Sequence, residues 1–135
     1  MNIGGVTPQL EDLFSFLRFA SVSTDSRHAG DVRACAEWLL AKLSGMGLIA
    51  SLHDTPGHPV VLAMNAHREG RRTVLIYGHY DVQPVDPLEL WTSDPFEPVL
   101  RDGKIYARGA TDNKGQMMAH VLGVEQTLRE EGDLP

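Results

Sequence analysis

Long apolar runs, cysteine pairs and clusters of basic residues are all missing from this chain of 135 residues. No hydrophobic run approaches the roughly 18 to 20 residues that a membrane-spanning helix needs. The single cysteine, Cys35, has no partner for an internal disulfide. The formal charge of −6 and the scattered basic residues argue against a surface for nucleic acid. We therefore expect a cytoplasmic protein that binds neither a membrane nor a nucleic acid.

Hydrophobic residues that recur at helical or strand-like spacing outline the first half of the chain. Helical spacing predicts a first helix over residues 8–20, beginning at Thr7-Pro8. After the polar loop SVSTDSRHAGD, the same spacing predicts a second helix that buries Cys35 and stops at Gly45. Three strands are predicted next, from the runs LIASLH, VVLAMNA and TVLIYG. The third run is apolar on both faces, so we place it inside the sheet with cover on both sides.

The second half of the chain begins with a proline-rich segment, from Gln83 to Pro98, which predicts a shaped loop packed around Trp91 and Phe96. The Asp102-Gly103 pair between EPVLR and KIYAR predicts a hairpin turn. A last helix is predicted to end near Gly132. Helices and strands together predict an α/β fold.

Polar residues follow the third apolar run at a spacing that suits a functional site. His79 and Asp81 are two residues apart, so in an extended chain their side chains leave on the same side. Asp112 lies in a glycine-flanked turn before the last helix, and the usual winding of a sheet brings both segments to one edge. An imidazole and a carboxylate suit zinc, and a second carboxylate often orients the histidine. Spacing alone leaves open that His79 is an ordinary loop residue and Asp112 a helix N-cap.

Three segments, GHYDVQPVDP, WTSDPFEP and DGKIYARGATDNKGQ, occur in an order that resembles one family of zinc metallopeptidases. That family includes carnosinase, the cytosolic non-specific dipeptidase, aminoacylase and succinyl-diaminopimelate desuccinylase, and the dipeptidase branch is the most similar. The resemblance implies a three-layer sandwich with a central mixed, largely parallel sheet flanked by helices. It also implies that residues 1–135 are the N-terminal portion of the catalytic domain, without the inserted lid and dimerisation domain or the C-terminal part.

The same resemblance implies roles for three residues. His79 would bind one of two zinc ions, Asp112 would bridge both, and Asp81 would orient His79. The implied reaction is hydrolysis of a dipeptide or short peptide by a metal-bridging water, and manganese or cobalt also suits such ligands. The family's general-base glutamate and remaining ligands have no match here, since Glu130-Glu131 fits a solvated helix end better. We therefore expect the 135-residue chain to be inactive alone.

Two other functions remain open at this point. An N-acyl-amino-acid deacylase of the same family would use the same metals. A non-catalytic module would instead self-associate through an exposed sheet edge, and a family-like homodimer is a related expectation. Around the site, Arg108 and Lys114 are predicted to pair with acidic neighbours and so fix the turn. The other histidines are predicted not to be ligands: His28, His53, His58, His67 and His120.

Overall fold

The computed structural model describes residues 7–134, and in this range it contains three α-helices and four short strands. They are, in chain order, α1 (Pro8–Leu17), α2 (Ala29–Gly45), β1 (Ile49–His53), β2 (Val60–Met64), β3 (Val99–Arg101), β4 (Lys104–Tyr106) and α3 (Lys114–Glu131). Short 3₁₀ turns lie at Ser26–His28 and Leu88–Leu90. The mixture of helices and strands confirms the predicted α/β content.

The strands form two separate antiparallel pairs, β1 with β2 and β3 with β4. Within residues 7–134, parallel pairing is limited to a single bridge between Val22 and Val82. The described part of the chain therefore does not form the largely parallel sheet that the resemblance implied. The reason is that β1 and β2 follow each other across a short turn, which favours antiparallel pairing.

The predicted third strand, residues 73–78, is the clearest error of the sequence analysis. These residues pair with no strand in the described range, and Val74, Leu75 and Tyr77 are each more than 80% exposed. A strand inside a sheet needs a hydrogen-bonded neighbour on both sides. Helix α3 packs against Gly78, but no described strand pairs with residues 73–77, so that part of the apolar run stays in solvent.

The helices begin and end close to the predicted positions. Helix α1 ends at Leu17 instead of residue 20, because the Lys114 ammonium takes the carbonyls of Phe16 and Phe19 and the chain turns there. Helix α2 begins at Ala29, three residues before Val32, the residue that follows the predicted polar loop. Helix α3 ends at a left-handed Gly132 with φ of 74°, as predicted from a glycine stop.

The β3–β4 hairpin confirms the turn predicted at Asp102-Gly103. Arg101 and Lys104 face each other across that two-residue turn. Both turn residues have positive φ, 52° and 72°, which is the conformation that Asp-Gly favours in such hairpins. A turn of this kind depends only on neighbouring residues, so the Asp-Gly pair alone is sufficient to predict the hairpin.

A small core joins the three helices. Phe16 of α1, Cys35 of α2 and Met118 of α3 are essentially fully buried and pack together. The Phe16 ring stacks on Trp38 with centroids 5.3 Å apart. Burial raises the pKa of the Cys35 thiol, in keeping with the inert core residue predicted for it. No helix among the described residues is long and apolar enough to cross a membrane.

Candidate metal centre

The segment that follows the exposed run is held firmly against another part of the chain. Ser21 accepts a hydrogen bond from the Val82 amide at 2.9 Å, and its hydroxyl donates to the Tyr80 carbonyl at 2.7 Å. Ser21 and Val82 are both buried. The Tyr80 hydroxyl donates to the Pro59 carbonyl, and burial raises the pKa of Tyr80 to about 12. Residues 80–82 are therefore anchored on both sides, and His79 is carried beside them.

His79 lies between the two carboxylates that the sequence analysis singled out. Its Nδ1 is 3.1 Å from Asp81 Oδ1, and its Nε2 is 3.1 Å from Asp112 Oδ1. A neutral imidazole has one N–H, so it donates to one of these carboxylates and presents a lone pair to the other. The structure thus brings all three predicted site residues together.

The turn before α3 places Asp112 where a cation could reach it. The side chain of Asp112 is 79% exposed, whereas those of His79 and Asp81 are about 40% exposed. A side chain at Gly115 would meet the Ala110 carbonyl oxygen at 2.1 Å, so this turn requires glycine. The residue that caps α3 is Asn113, which excludes the alternative that Asp112 is the N-cap.

The arrangement suits zinc in the kind and spacing of its donors. If the proton is on Nδ1 and is bonded to Asp81, the Nε2 lone pair faces the Asp112 carboxylate. The lone pair and the carboxylate oxygen are both electron-pair donors, and they repel each other unless a cation lies near both. Two donors of a tetrahedral zinc, each about 2.0–2.1 Å from the ion, lie about 3.3 Å apart. The observed 3.1 Å between Nε2 and Oδ1 is close to that separation.

The donor set is nevertheless small. No group of three or more His, Cys, Asp or Glu side chains able to hold a metal ion occurs within residues 7–134. Asp81 is turned toward the other ring nitrogen of His79 and toward Ser23, so it is not a third donor here. The site can present one imidazole and one carboxylate to a cation, one fewer than the three protein ligands usual for catalytic zinc.

The predictions for Arg108 and Lys114 were wrong, since neither has an acidic partner in the described part of the chain. Lys114 is fully buried, and its ammonium donates to the carbonyls of Phe16 at 3.0 Å and Phe19 at 2.8 Å. Carbonyls at a helix C-terminus attract a cation as a carboxylate does. Burial lowers the pKa of Lys114 to about 8. The Arg108 guanidinium lies 5.3 Å from the centre of the Trp91 ring, a cation–π contact.

Three polar residues that contribute to the site were missed by the sequence analysis. The Ser23 hydroxyl donates to Asp81 Oδ2 at 2.5 Å, and His58 Nε2 lies 2.8 Å from the Ser23 carbonyl. The Asn113 side-chain oxygen accepts from the His79 amide at 3.2 Å. Each partner lies 34 to 58 residues away along the chain. Of these residues, only Asn113 stands beside a predicted ligand, and that adjacency was the one signal available.

A sequence profile of Peptidase family M20/M25/M40 matches residues 75–135, the part of the chain that carries His79, Asp81 and Asp112. These residues match the M20 peptidase family. The predicted resemblance is thereby confirmed. The chain is also similar to the succinyl-diaminopimelate desuccinylase of Thiobacillus denitrificans, with 42% identity over 106 residues that cover 78% of the chain and 26% of the relative.

Two solved structures extend the similarity to nearly the whole chain. One is an M20 family metallo-carboxypeptidase, Sso-CP2 from Sulfolobus solfataricus, at 37% identity and a TM-score of 0.83, covering 93% of this chain and 28% of that one. The other is human carnosine dipeptidase 1, at 31% identity and a TM-score of 0.87, covering 94% and 28%. The chain thus spans less than a third of the length of each relative named here.

Proposed function

We propose that this chain supplies part of the metal centre of a zinc-dependent hydrolase that cleaves dipeptides or short peptides. The observation that carries the proposal is the position of His79, with one ring nitrogen 3.1 Å from Asp81 and the other 3.1 Å from Asp112. A ligating histidine whose second nitrogen is held by a carboxylate is a recurrent arrangement at zinc. The similarity to a carnosine dipeptidase supports the choice of substrate class.

In this proposal each of the three residues has a separate role. His79 Nε2 and Asp112 would hold the metal, with Asp112 a ligand common to both ions, while Asp81 would fix the ring of His79. Bound zinc would supply a Lewis acid for the peptide carbonyl and would lower the pKa of a water. Manganese or cobalt is compatible with the same donors. Asn113 holds the His79 amide and so keeps the two ligands in register.

We further propose that the chain by itself binds metal weakly and does not turn over substrate. Residues 7–134 bring two candidate ligands together, and a catalytic zinc usually has three. In this interpretation the chain is the N-terminal portion of a three-layer catalytic domain, and the general base and remaining ligands belong to other parts of that domain. The buried thiol of Cys35 is consistent with the cytoplasmic location that we propose.

The test is hydrolysis of a dipeptide panel with added zinc or manganese, by the 135-residue chain and by a chain extended to the length of its M20 relatives. We expect activity from the extended chain alone, and loss of that activity in His79→Ala and Asp112→Ala. Glu130→Ala, which removes an exposed carboxylate far from the site along α3, is the matched control and should keep full activity. Activity that survives both site substitutions would refute the proposal.

A second candidate is removal of an acyl group from an N-acyl amino acid. The 42% identity to a succinyl-diaminopimelate desuccinylase favours it. The two reactions break the same kind of amide bond at the same metals, so His79 and Asp112 do not distinguish them. The ratio of kcat/KM for a dipeptide to that for an N-succinyl amino acid, measured on the extended chain, decides between them. A ratio well above one supports the dipeptidase.

A third candidate is a non-catalytic chain that associates with itself, and the exposed run at residues 73–77 favours this one. An apolar segment with free backbone hydrogen-bonding groups readily pairs with another chain. The same surface would serve a homodimer. Sedimentation velocity of the 135-residue chain should show dimers that dissociate when Leu75→Lys and Tyr77→Lys are introduced. Monomers at every concentration would exclude this candidate.

A further inference from the structure

The Ser23 hydroxyl lies behind the Asp81 carboxylate, on the side away from His79. It donates to Asp81 Oδ2 at 2.5 Å, while Asp81 Oδ1 lies 3.1 Å from His79 Nδ1. The two oxygens of one carboxylate are thus used separately, one for each neighbour. A hydrogen bond to an ionised acceptor is among the stronger ones in proteins, so this contact restricts how Asp81 turns.

Ser23 is itself held in place from the other side. Its carbonyl lies 2.8 Å from His58 Nε2, and a carbonyl accepts only, so the ring donates there. Two residues earlier, the Ser21 hydroxyl donates to the Tyr80 carbonyl and the Ser21 carbonyl accepts from the Val82 amide. The next residue after His58, Pro59, accepts from the Tyr80 hydroxyl. Ser23 is therefore a fixed donor, and Asp81 is the group that it orients.

We propose that Ser23 is a positioning residue of the candidate metal centre, whose hydroxyl holds Asp81 so that His79 keeps its proton on Nδ1 and presents Nε2 toward Asp112. The proposal rests on the proposed function, because the direction of Nε2 matters only if that nitrogen binds metal. Its physical basis is that the tautomer of a ligating histidine is set by the bond that the other ring nitrogen makes.

Removal of the hydroxyl should release this arrangement without removing any proposed ligand. In Ser23→Ala, Asp81 Oδ2 loses its protein donor, and the half-exposed carboxylate turns toward water. His79 Nδ1 then keeps only the more distant Asp81 backbone carbonyl, at 3.3 Å, as a fixed acceptor, and the proton is shared between the two ring nitrogens. Substitution of a residue that orients a metal ligand typically weakens metal binding by about 10- to 100-fold. We expect the lower end, about tenfold, because Asp81 itself remains.

The direct test is the tautomer of His79 in the metal-free chain, read from ring ¹⁵N chemical shifts at about pH 8, where an ordinary imidazole is neutral. His79→Gln identifies the His79 signals among those of the six histidines. The parent chain should show the Nδ1–H form. Ser23→Ala should show a mixture, Ser23→Thr should restore the parent spectrum, and Ser26→Ala, at an exposed serine three residues away, should leave it unchanged.

Two further measurements keep the proposal falsifiable. Ser23→Cys preserves the shape and donates only weakly, so it should shift the tautomer as Ser23→Ala does and replaces that variant if the alanine form does not fold. Zinc affinity, measured by calorimetry, should fall about tenfold in Ser23→Ala and recover in Ser23→Thr. An Nδ1–H signal unchanged in both Ser23→Ala and Ser23→Cys would overturn the proposal, and so would an unchanged zinc affinity in a chain that binds zinc.

The two proposals fail in different ways. If the tautomer follows Ser23 but no variant of the chain binds zinc, the positioning role of Ser23 in orienting His79 stands and the metal function fails. If zinc binds through His79 and neither the tautomer nor the affinity responds to Ser23→Ala, the positioning role fails and the metal function stands.

Discussion

Two halves of one apolar run, TVLIYGHYDV, have opposite environments. Residues 73–77 are exposed and unpaired in the described structure, with Leu75 at 84% exposure. Residues 80–82 are tied to Ser21 by two hydrogen bonds, Val82 forms a parallel bridge with Val22, and Val82 is 3% exposed. The exposed half, TVLIY, is the more hydrophobic of the two, so hydrophobicity did not decide which half is buried. The presence of a partner segment did.

The anchored half is the part of this run that positions the site. Residues 80–82 have Ser21, Ser23 and Pro59 as partners, and that set of contacts carries His79 to Asp112. The exposed half contributes no contact to the site among the described residues. Stability and metal binding should therefore respond to changes in the anchored half and its core, and be nearly indifferent to changes in the exposed half.

The largest contrast is expected between Phe16→Ala and Leu75→Ala. Phe16 is fully buried against Trp38 and beneath Lys114, so its truncation should cost about 3–5 kcal/mol of unfolding free energy. Leu75 is 84% exposed, and its truncation should change that free energy by less than about 0.5 kcal/mol. Urea unfolding followed by circular dichroism measures both. A cost above 2 kcal/mol for Leu75→Ala would mean that the exposed half has a buried partner.

A smaller effect is expected at Gly109, which touches the anchored half. Its φ is 83°, and a Cβ there would lie 2.7 Å from Val82 Cγ1. Gly109→Ala should cost about 2–4 kcal/mol, from the left-handed backbone and the overlap together. Gly103→Ala is the matched control, since φ is 72° and nothing lies within 4 Å, and it should cost about 1–2 kcal/mol. Equal losses of unfolding free energy in the two variants, by thermal or urea unfolding, would show that the Val82 side chain moves aside easily.

The smallest contrast uses the two tyrosines that flank the Gly78-His79 pair. Tyr80→Phe removes the donor to the Pro59 carbonyl and should cost about 1 kcal/mol. Tyr77→Phe, at 84% exposure, should cost nothing measurable. Paired urea titrations of the two variants give the difference directly. If the order of the two costs is reversed, the assignment of anchored and exposed halves is wrong.

Local signals in the sequence predicted most of the described elements. The Asp-Gly turn, the helix stop at Gly132 and the helical spacing in α2 each depend on neighbours within a few residues. They were correct for that reason. The error at residues 73–78 has the opposite cause, because pairing depends on a segment elsewhere in the chain. An apolar run indicates that a segment needs a neighbouring strand to pair with, but it does not indicate which segment that is.

The contacts of the candidate site also divide into local ones, which were predicted, and distant ones, which were not all predicted. The spacing of His79 and Asp81 predicted their contact, since residues two apart share a side of an extended chain. The approach of Asp112 was expected from the sheet edge and the family resemblance. Ser23 and His58 were not found, because their contacts join loops 35 or more residues apart. Lys114 was assigned an acidic partner, and sequence alone does not show that helix carbonyls would take that place.

The measurement that tests the central proposal most directly is calorimetric titration of zinc into the 135-residue chain and its His79→Ala, Asp112→Ala and Leu75→Ala variants. We predict weak binding by the parent chain and by Leu75→Ala, and no detectable binding by either site variant, since each variant removes one of the two proposed ligands. Equal zinc affinity in all four proteins would contradict the proposal that His79 and Asp112 hold the metal.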